Sequence, residues 1–392
     1  MPFQLESELQ ARHEQGLLRQ RQILQSGQGA SLLINGRRYL NFSSNDYLGA
    51  ASQPAIVAAW QQGLAIWGAG SGASPLVTGY TGAHQQLEDA LADWLNVEAV
   101  LLFSSGFAAN QAVLKALLKP SHQQWQDRLN HASLQEAGSL IPSRMNRFRH
   151  NDMVHLASQL RPKAGLIISE GVFSMDGDQA PCEELLQLAE ASGNWLMLDD
   201  AHGLGTHGRG GRGTLDVQGL AHSRVAVLVG TFGKAFGTAG AFVAGSRRLI
   251  DYLLNFARDY VYSTHMPASQ ALATHAALQW VIKADDERAH LQRLIAHFRA
   301  GAAALGLTLM PSVTAIQPLL VGDSARALSL ATRLRELGCW ATAIRPPTVP
   351  PGMARLRLTL TAGHSVDDID VLLGALAQCD DGVACDGAHG NE

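Results

Sequence analysis

One lysine stands apart because of its neighbours. The stretch Thr231-Phe-Gly-Lys234-Ala-Phe-Gly237 sets a single amine among small and apolar residues. An ammonium deprived of water is disfavoured, so such an amine shifts toward its neutral, nucleophilic form. Neutral lysine is the group that forms Schiff bases with carbonyl compounds. Gly233 and Gly237 would let a flat ring or a backbone approach closely. The other lysines have plainer settings: Lys115 and Lys119 on a helical face, Lys163 after a proline in a turn, and Lys283 before an acidic run. By itself the Lys234 stretch is also compatible with a purely structural turn.

Three more polar sequences follow apolar runs in the same way. Ser104-Ser-Gly106-Phe107 follows Ala99-Val-Leu-Leu-Phe103 and opens a helix, so its backbone amides form a ready anion site. Glu170-Gly-Val-Phe-Ser174 follows Leu166-Ile-Ile-Ser169, and Asp199-Asp-Ala-His202 follows Trp195-Leu-Met-Leu. Taken singly, Asp199 reads as a helix cap, His202 as a satisfied structural histidine and Ser174 as a loop serine. Together they supply an anion site, an acid for a cationic ring nitrogen and an amine for an aldehyde. That set suits pyridoxal 5'-phosphate.

These groups need a scaffold that collects strand ends. The apolar runs at 99–103, 166–169, 195–199, 225–229 and 241–244 alternate with helical patterns at 84–95, 106–118 and 182–192. That is the signature of a mostly parallel sheet covered on both faces, whose ligands bind at the C-terminal strand ends. Residues 4–25 read as an amphipathic helix and 31–42 as a hairpin turning at Asn35-Gly36, with a further helix over 54–67. The glycine-rich stretch 68–79 follows a helix and runs into Ser-Pro, so it is not a dinucleotide loop. Near residue 280 the pattern changes to a helix at 285–304, strands near 316–321 and 355–360, and a helix at 325–337 between them. The expected division is an N-terminal helix and hairpin arm (1–48), a large domain (49–282), a smaller α+β domain (283–378) and a flexible tail (379–392).

The 392 residues suffice for two such domains. A net charge of −4 argues against nucleic acid as a partner. No apolar run of ~18 residues suggests a membrane span, and the acidic N-terminus lacks a signal-peptide core. The four cysteines (182, 339, 379, 385) show no CxxC spacing, so free thiols in a reducing cytoplasm are expected and no metal is. Cys379 and Cys385 fall in the polar tail.

Six motifs carry a resemblance to a known family: Asn41-Phe-Ser-Ser-Asn-Asp-Tyr-Leu-Gly49, Ser105-Gly-Phe-Ala-Ala-Asn110, Asn130-His-Ala-Ser-Leu134, Glu170-Gly-Val-Phe-Ser-Met-Asp-Gly-Asp178, Asp199-Asp-Ala-His-Gly203 and Thr231-Phe-Gly-Lys234. From about residue 12 to 375 the chain resembles the α-oxoamine synthases, fold-type I pyridoxal-phosphate transferases. Ala343-Ile-Arg-Pro-Pro-Thr348-Val-Pro and Ala354-Arg-Leu-Arg357-Leu-Thr-Leu-Thr look like the branch that condenses L-alanine with a pimeloyl thioester, on coenzyme A or a carrier protein, in biotin synthesis.

The resemblance implies a role for each matching residue. Lys234 would hold the cofactor aldehyde and act as the base at Cα. Asp199 would pair with the ring nitrogen, His202 with the ring's phenolic oxygen, and His131 would stack on the ring. Ser174, Thr231 and the amides of Gly106 and Phe107 would hold the phosphate or the ring edge. Many relatives have tyrosine where Phe107 stands. Arg357, assisted by Asn45, would bind the amino-acid carboxylate, and Arg19 and Thr348 would contact substrate. Strand alternation puts Arg355, Arg357 and Thr359 on one face, which could also be an exposed edge. A homodimer with sites at the interface is implied as well. The alternatives on the same scaffold are a glycine C-acetyltransferase, a 5-aminolevulinate synthase and an aminotransferase. A cofactor-sensing regulator would need a DNA-binding module, and residues 1–40 lack the pattern for one.

Overall fold

The computed structural model describes residues 3–161 and 164–379. After a short N-terminal helix comes the hairpin β1 (Ser31–Ile34) and β2 (Arg37–Asn41). Asn35 and Gly36 both have positive φ, as the expected two-residue turn requires. A seven-stranded sheet follows, built from β3 (Ala99–Phe103), β4 (Gln123–Asp127), β5 (Arg144–Phe148), β6 (Gly165–Glu170), β7 (Trp195–Asp199), β8 (Val227–Thr231) and β9 (Ala241–Gly245). Its spatial order is β3-β9-β8-β7-β6-β4-β5. Only β9 runs against its neighbours; the other pairings are parallel. The C-terminal ends of β3, β6, β7 and β8 therefore share one edge, and the turn from β8 to β9 carries Lys234.

Strands β3 and β9 are buried along their whole length, and β6, β7 and β8 nearly so. Their continuous apolar sequence is what a sheet covered on both faces demands. Two strands escaped the hydrophobic pattern. In β4, Gln124 and Gln126 are fully buried, and their amides donate to the carbonyls of Gly138 and Leu134 and to Ser143 Oγ. Burial here is offset by hydrogen bonds rather than signalled by apolar side chains. β5 is polar along most of its length and lies at the sheet edge.

The remaining strands are β10 (Ile316–Gly322), β11 (Cys339–Trp340), β12 (Thr342–Ile344) and β13 (Ala354–Thr359). β13 is central in the sheet β10-β13-β12, so the strand bearing Arg355 and Arg357 is no exposed edge; the arginines are 2% and 8% exposed. β2 pairs in parallel with β11, so the N-terminal hairpin shares a sheet with the C-terminal part of the chain. Helices Asp285–Ala304, Ser324–Glu336 and Val366–Cys379 cover this region.

Two sequence expectations need correction. The N-terminal helix spans Leu5–Glu14 rather than 4–25: Gly16 adopts φ 65° just beyond it, a left-handed stop, and Leu5 and Leu9 face solvent. Cys379 is not in a polar tail but is the buried last residue of the final helix. The rest of the expected tail, with Cys385, lies outside the described residues, as does Lys163. Cys182, Cys339 and Cys379 are free thiols. Among the described residues no helix is long and apolar enough to cross a membrane.

Candidate active site

Lys234 lies in the turn after β8, half-buried, with its backbone carbonyl bonded to the amide of Gly237. Gly237 has φ 64°, and a Cβ there would stand 2.2 Å from the amide nitrogen of Ala51. Its role is thus close backbone packing rather than room for a ring. Burial pulls the Lys234 ammonium down to about 8, against the opposing pull of Asp199 and Glu170. The expected shift toward the neutral amine is present. Lys234 Nζ lies 2.8 Å from His202 Nε2. His202 is buried, and burial followed by the positive charges of Lys234 and Arg357 holds it well below the usual imidazole range, so the ring is neutral.

Asp199 ends β7 at 6% exposure. Its Oδ2 accepts Asn110 Nδ2 at 2.7 Å and its Oδ1 accepts the amide of Ala201 at 3.1 Å. The Asn110 amide also donates to Ser133 Oγ (2.9 Å), which lies 2.8 Å from His131 Nδ1. His131 caps the helix Ala132–Leu140, and its own amide donates to Glu170 Oε1 at 2.5 Å. Burial, then the negative charge of Asp199, pushes the Glu170 carboxyl well above the usual range. Burial lowers His131, partly countered by Asp199.

The helix Gly106–Leu117 begins at the end of β3 with Ser105 as its cap, the hydroxyl accepting Ala108 N at 3.1 Å. The amides of Gly106 and Phe107 have no acceptor in the described chain. A Cβ at Gly106 would meet the Thr231 side chain at 3.9 Å, so Thr231 stands beside these amides. Two free amides at a helix N-terminus form an anion site beside the turn that bears Lys234, next to the Thr231 hydroxyl, which donates to the Gly240 carbonyl at 3.0 Å. An anion site, a buried acid held by Asn110 and an amine lowered by burial together fit a phosphorylated aldehyde with a basic ring nitrogen.

Arg357 faces this cluster from β13. Nε donates to the Ser174 carbonyl (2.7 Å), Nη1 to Thr359 Oγ1 (3.1 Å) and Nη2 to Asn45 Oδ1 (3.2 Å). A guanidinium carries five N–H donors. The three bonds leave one N–H on each terminal nitrogen, a pair suited to a carboxylate. Ser174 contributes its carbonyl to this arrangement. Arg355 instead pairs with Asp176 at 2.7 Å, locking the loop after β6. Thr348 is exposed, its amide bonded to the Arg345 carbonyl, and Arg345 Nη1 donates to the Gly16 carbonyl at 2.8 Å. Arg19 is exposed and makes no side-chain bond among the described residues. Neither Arg19 nor Thr348 joins the Lys234 cluster within this chain.

Three residues of the site were not singled out from sequence: Asn110, Tyr47 and Glu170. Tyr47 Oη lies 2.6 Å from His202 Nδ1. Each sits inside a quoted motif, and Asn110 carried a signal, being a polar residue on a helix face otherwise formed by Ala109, Ala112 and Val113.

The family model described as aminotransferase class I and II matches residues 37–376. The chain is 61% identical over 388 residues to an 8-amino-7-oxononanoate synthase of Aeromonas salmonicida, covering 99% of this chain and 98% of that one. Among solved structures it is similar to a serine palmitoyltransferase variant from S. paucimobilis with a bound PLP–myriocin aldimine, at TM-score 0.90, 26% identity and 96% coverage of both chains. It is also similar to the 8-amino-7-oxononanoate synthase of Francisella tularensis, at TM-score 0.78 and 28% identity, covering 87% of this chain and 97% of that one.

Proposed function

The chain belongs to the aminotransferase class I and II family, and we propose that it works as an 8-amino-7-oxononanoate synthase, a pyridoxal-phosphate-dependent acyltransferase of biotin synthesis. The reaction joins the α-carbon of L-alanine to the acyl carbon of a pimeloyl thioester, on coenzyme A or a carrier protein, releasing the thiol and carbon dioxide. One observation carries the reading. A buried arginine with two spare N–H groups is linked through Asn45, Tyr47 and His202 to a lysine whose amine is lowered to about 8. Full-length relatives named for this activity support the choice over a glycine-using synthase.

Pyridoxal 5'-phosphate is the cofactor. The amides of Gly106 and Phe107 with the Thr231 hydroxyl would hold its phosphate, Asp199 its ring nitrogen and Lys234 its aldehyde, with His131, Ser174 and His202 around the ring. When bound, it supplies an aldehyde that accepts an amine and a cationic ring that draws electrons from the adjoining carbon. The chain does the rest. Arg357 orients alanine by its carboxylate, and Asn45 holds the guanidinium in place. Lys234, its pKa lowered to about 8 so that the neutral amine is accessible, takes the Cα proton and later returns one. Asp199, held by Asn110, stabilises positive charge opposite the reacting carbon. Arg19 and Thr348 would meet the acyl chain.

A homodimer and a cytoplasmic location belong to the same proposal. Exposed Trp67, Val77 and Tyr262 lie on segments tied together by the Ser71 hydroxyl donating to the His265 carbonyl at 2.6 Å, an apolar face of the kind a second copy would cover. Product analysis with L-alanine and pimeloyl-CoA tests the function. Formation of 8-amino-7-oxononanoate is expected, with glycine a much poorer substrate. Glycine preference, or pyruvate formed from alanine alone, would overturn the assignment.

A further inference from the structure

His131 is tied to the buried acid of the site through two side chains, Asn110 and Ser133. Asn110 Nδ2 donates to Asp199 Oδ2 at 2.7 Å and to Ser133 Oγ at 2.9 Å. Ser133 Oγ lies 2.8 Å from His131 Nδ1, and the Ser133 amide donates to the same nitrogen at 3.3 Å. Asn110 is 1% exposed and Ser133 is fully buried, so water does not replace a lost partner along this run. The backbone at His131 is fixed from the other side. Its amide donates to Glu170 Oε1 at 2.5 Å, and Asn130 Nδ2 donates to the Ile168 carbonyl at 2.9 Å. None of these bonds involves Lys234 or the amides of Gly106 and Phe107. A carboxylate accepts several hydrogen bonds, so Asp199 can keep Asn110 while it serves a ring nitrogen.

Hydrogen counting fixes the direction of every bond. A carboxylate only accepts, so the Asn110 amide must turn its NH2 group toward Asp199. The cost is visible, because Asn110 Oδ1 is left buried with no hydrogen-bond partner among the described residues. One Asn110 N–H goes to Asp199 and the other to Ser133 Oγ, so the serine accepts there and must place its own hydrogen elsewhere. Among the described residues His131 Nδ1 is the acceptor it meets. The hydroxyl and the amide of Ser133 therefore converge on Nδ1 as donors. That nitrogen has to be a bare lone pair, which puts the ring hydrogen on Nε2. A hydrogen on Nδ1 would leave the buried hydroxyl without an acceptor.

We propose that Ser133 is a positioning residue that locks His131 as an Nε2–H donor, its hydroxyl aimed through Asn110 by the charge on Asp199; this rests on the reading of His131 as the residue over the cofactor ring. The acid that serves the ring nitrogen also decides what the histidine offers on the ring's face. His131 Nε2 makes no bond within the described chain, and the imidazole feels the charges of Asp199 and Lys234. It would present a hydrogen rather than a lone pair to a substrate oxygen, such as a thioester carbonyl on which negative charge develops. An imidazole held in this form cannot act as a base, so proton removal is left to Lys234.

The test is the proton affinity of His131 in the cofactor-loaded full chain. It is followed by 15N NMR of histidine-labelled protein, with the His131 signals assigned by their loss in His131→Gln. A hydroxyl that donates to Nδ1 stabilises the neutral ring, so Ser133→Ala should raise the affinity roughly three- to tenfold, ~0.5–1 pH unit. A serine that accepted from an Nδ1–H would give the opposite sign. The charged or titratable groups facing His131 are Asp199 on β7, Glu170 on β6, and Lys234 and His202 in the loops beyond β8 and β7. They are the same in both proteins. An unchanged or lowered affinity overturns the proposal. A second measurement needs no variant of Ser133 to fold: in the wild type the neutral ring should carry its hydrogen on Nε2, and a hydrogen on Nδ1 overturns the lock. In turnover, Ser133→Ala should lose roughly tenfold in kcat, while Ser133→Thr, which keeps the hydroxyl, stays within about threefold of wild type. Equal losses in the two variants overturn the positioning role. The NMR measurements hold whichever reaction the chain catalyses, so their failure is distinct from a failure of the alanine condensation.

Discussion

Replacing His150 with glutamine should remove a pH-dependent clamp on the loop that holds Arg357. His150 Nδ1 lies 3.0 Å from Asp127 Oδ1 and Nε2 lies 2.7 Å from Asp178 Oδ2, with the side chain 22% exposed. Both ring nitrogens meet carboxylates, which only the imidazolium can satisfy as a donor twice over. Burial opposes that charge, but hydrogen bonds to the two aspartates outweigh it and bring His150 up to about 10 from an ordinary 6.5. The clamp joins the end of β4 to the loop after β6, whose Ser174 carbonyl receives Arg357. A pKa raised by folding means that stability is fully present below pH 6.5 and lost as pH rises through 10. The ceiling is about 5 kcal/mol, and between those values the slope is about 1.4 kcal/mol per pH unit. Glutamine retains one amide donor, so we expect the variant to be ~2–4 kcal/mol less stable at pH 6. By pH 9 most of that gap should have closed. Urea unfolding of both proteins at pH 6 and pH 9 measures it. A gap of the same size at the two pH values would refute the charged-clamp account.

Four further outcomes are expected. Lys234→Ala should abolish both turnover and the cofactor's visible absorbance; activity near wild type would remove Lys234 from its role. Asn110→Ala deletes a 2.7 Å bond to buried Asp199, a charge-assisted contact worth ~1.5–3 kcal/mol, so kcat/KM should fall ~10–100-fold. A change within twofold in steady-state kinetics would show that Asp199 is held without it. Arg357→Lys cannot keep three chain bonds and still offer two parallel N–H groups, so KM for L-alanine should rise ~10–100-fold while KM for the thioester stays put. Arg19→Ala should raise KM for pimeloyl-CoA by roughly tenfold and leave a neutral acyl-CoA of similar length little changed. Equal losses for both thioesters would mean that Arg19 does not read the distal carboxylate.

The sequence by itself determined the sheet and its loaded edge. β3, β6, β7, β8 and β9 are buried on both faces and carry apolar runs, so their ends are visible where polarity begins. Asp199, His202 and Lys234 could be named for that reason, since each follows such a run directly. β4 stayed hidden because its buried glutamines are satisfied by partners at 134, 138 and 143, bonds that exist only once the helix Ala132–Leu140 is folded over the strand. The N-terminal helix was overestimated because a leucine pattern does not reveal that Gly16 takes a left-handed stop.

Tertiary structure alone decided the partnerships across the site. Asn110 and Asp199 are 89 residues apart in the chain, Tyr47 and His202 155, and Asn45 and Arg357 312. No local spacing encodes such pairs: the first arises where the helix after β3 meets the end of β7, the second where the Tyr47 segment meets the loop after β7, and the third where β13 faces the Asn45 segment. Strand alternation could say that Arg355 and Arg357 share a face. Whether that face was solvent or site depended on β13 being the middle strand of its sheet, with Asp176 and the Ser174 carbonyl waiting opposite. A buried charge is tolerable only where its partners are already in place, and those partners come from distant parts of the chain.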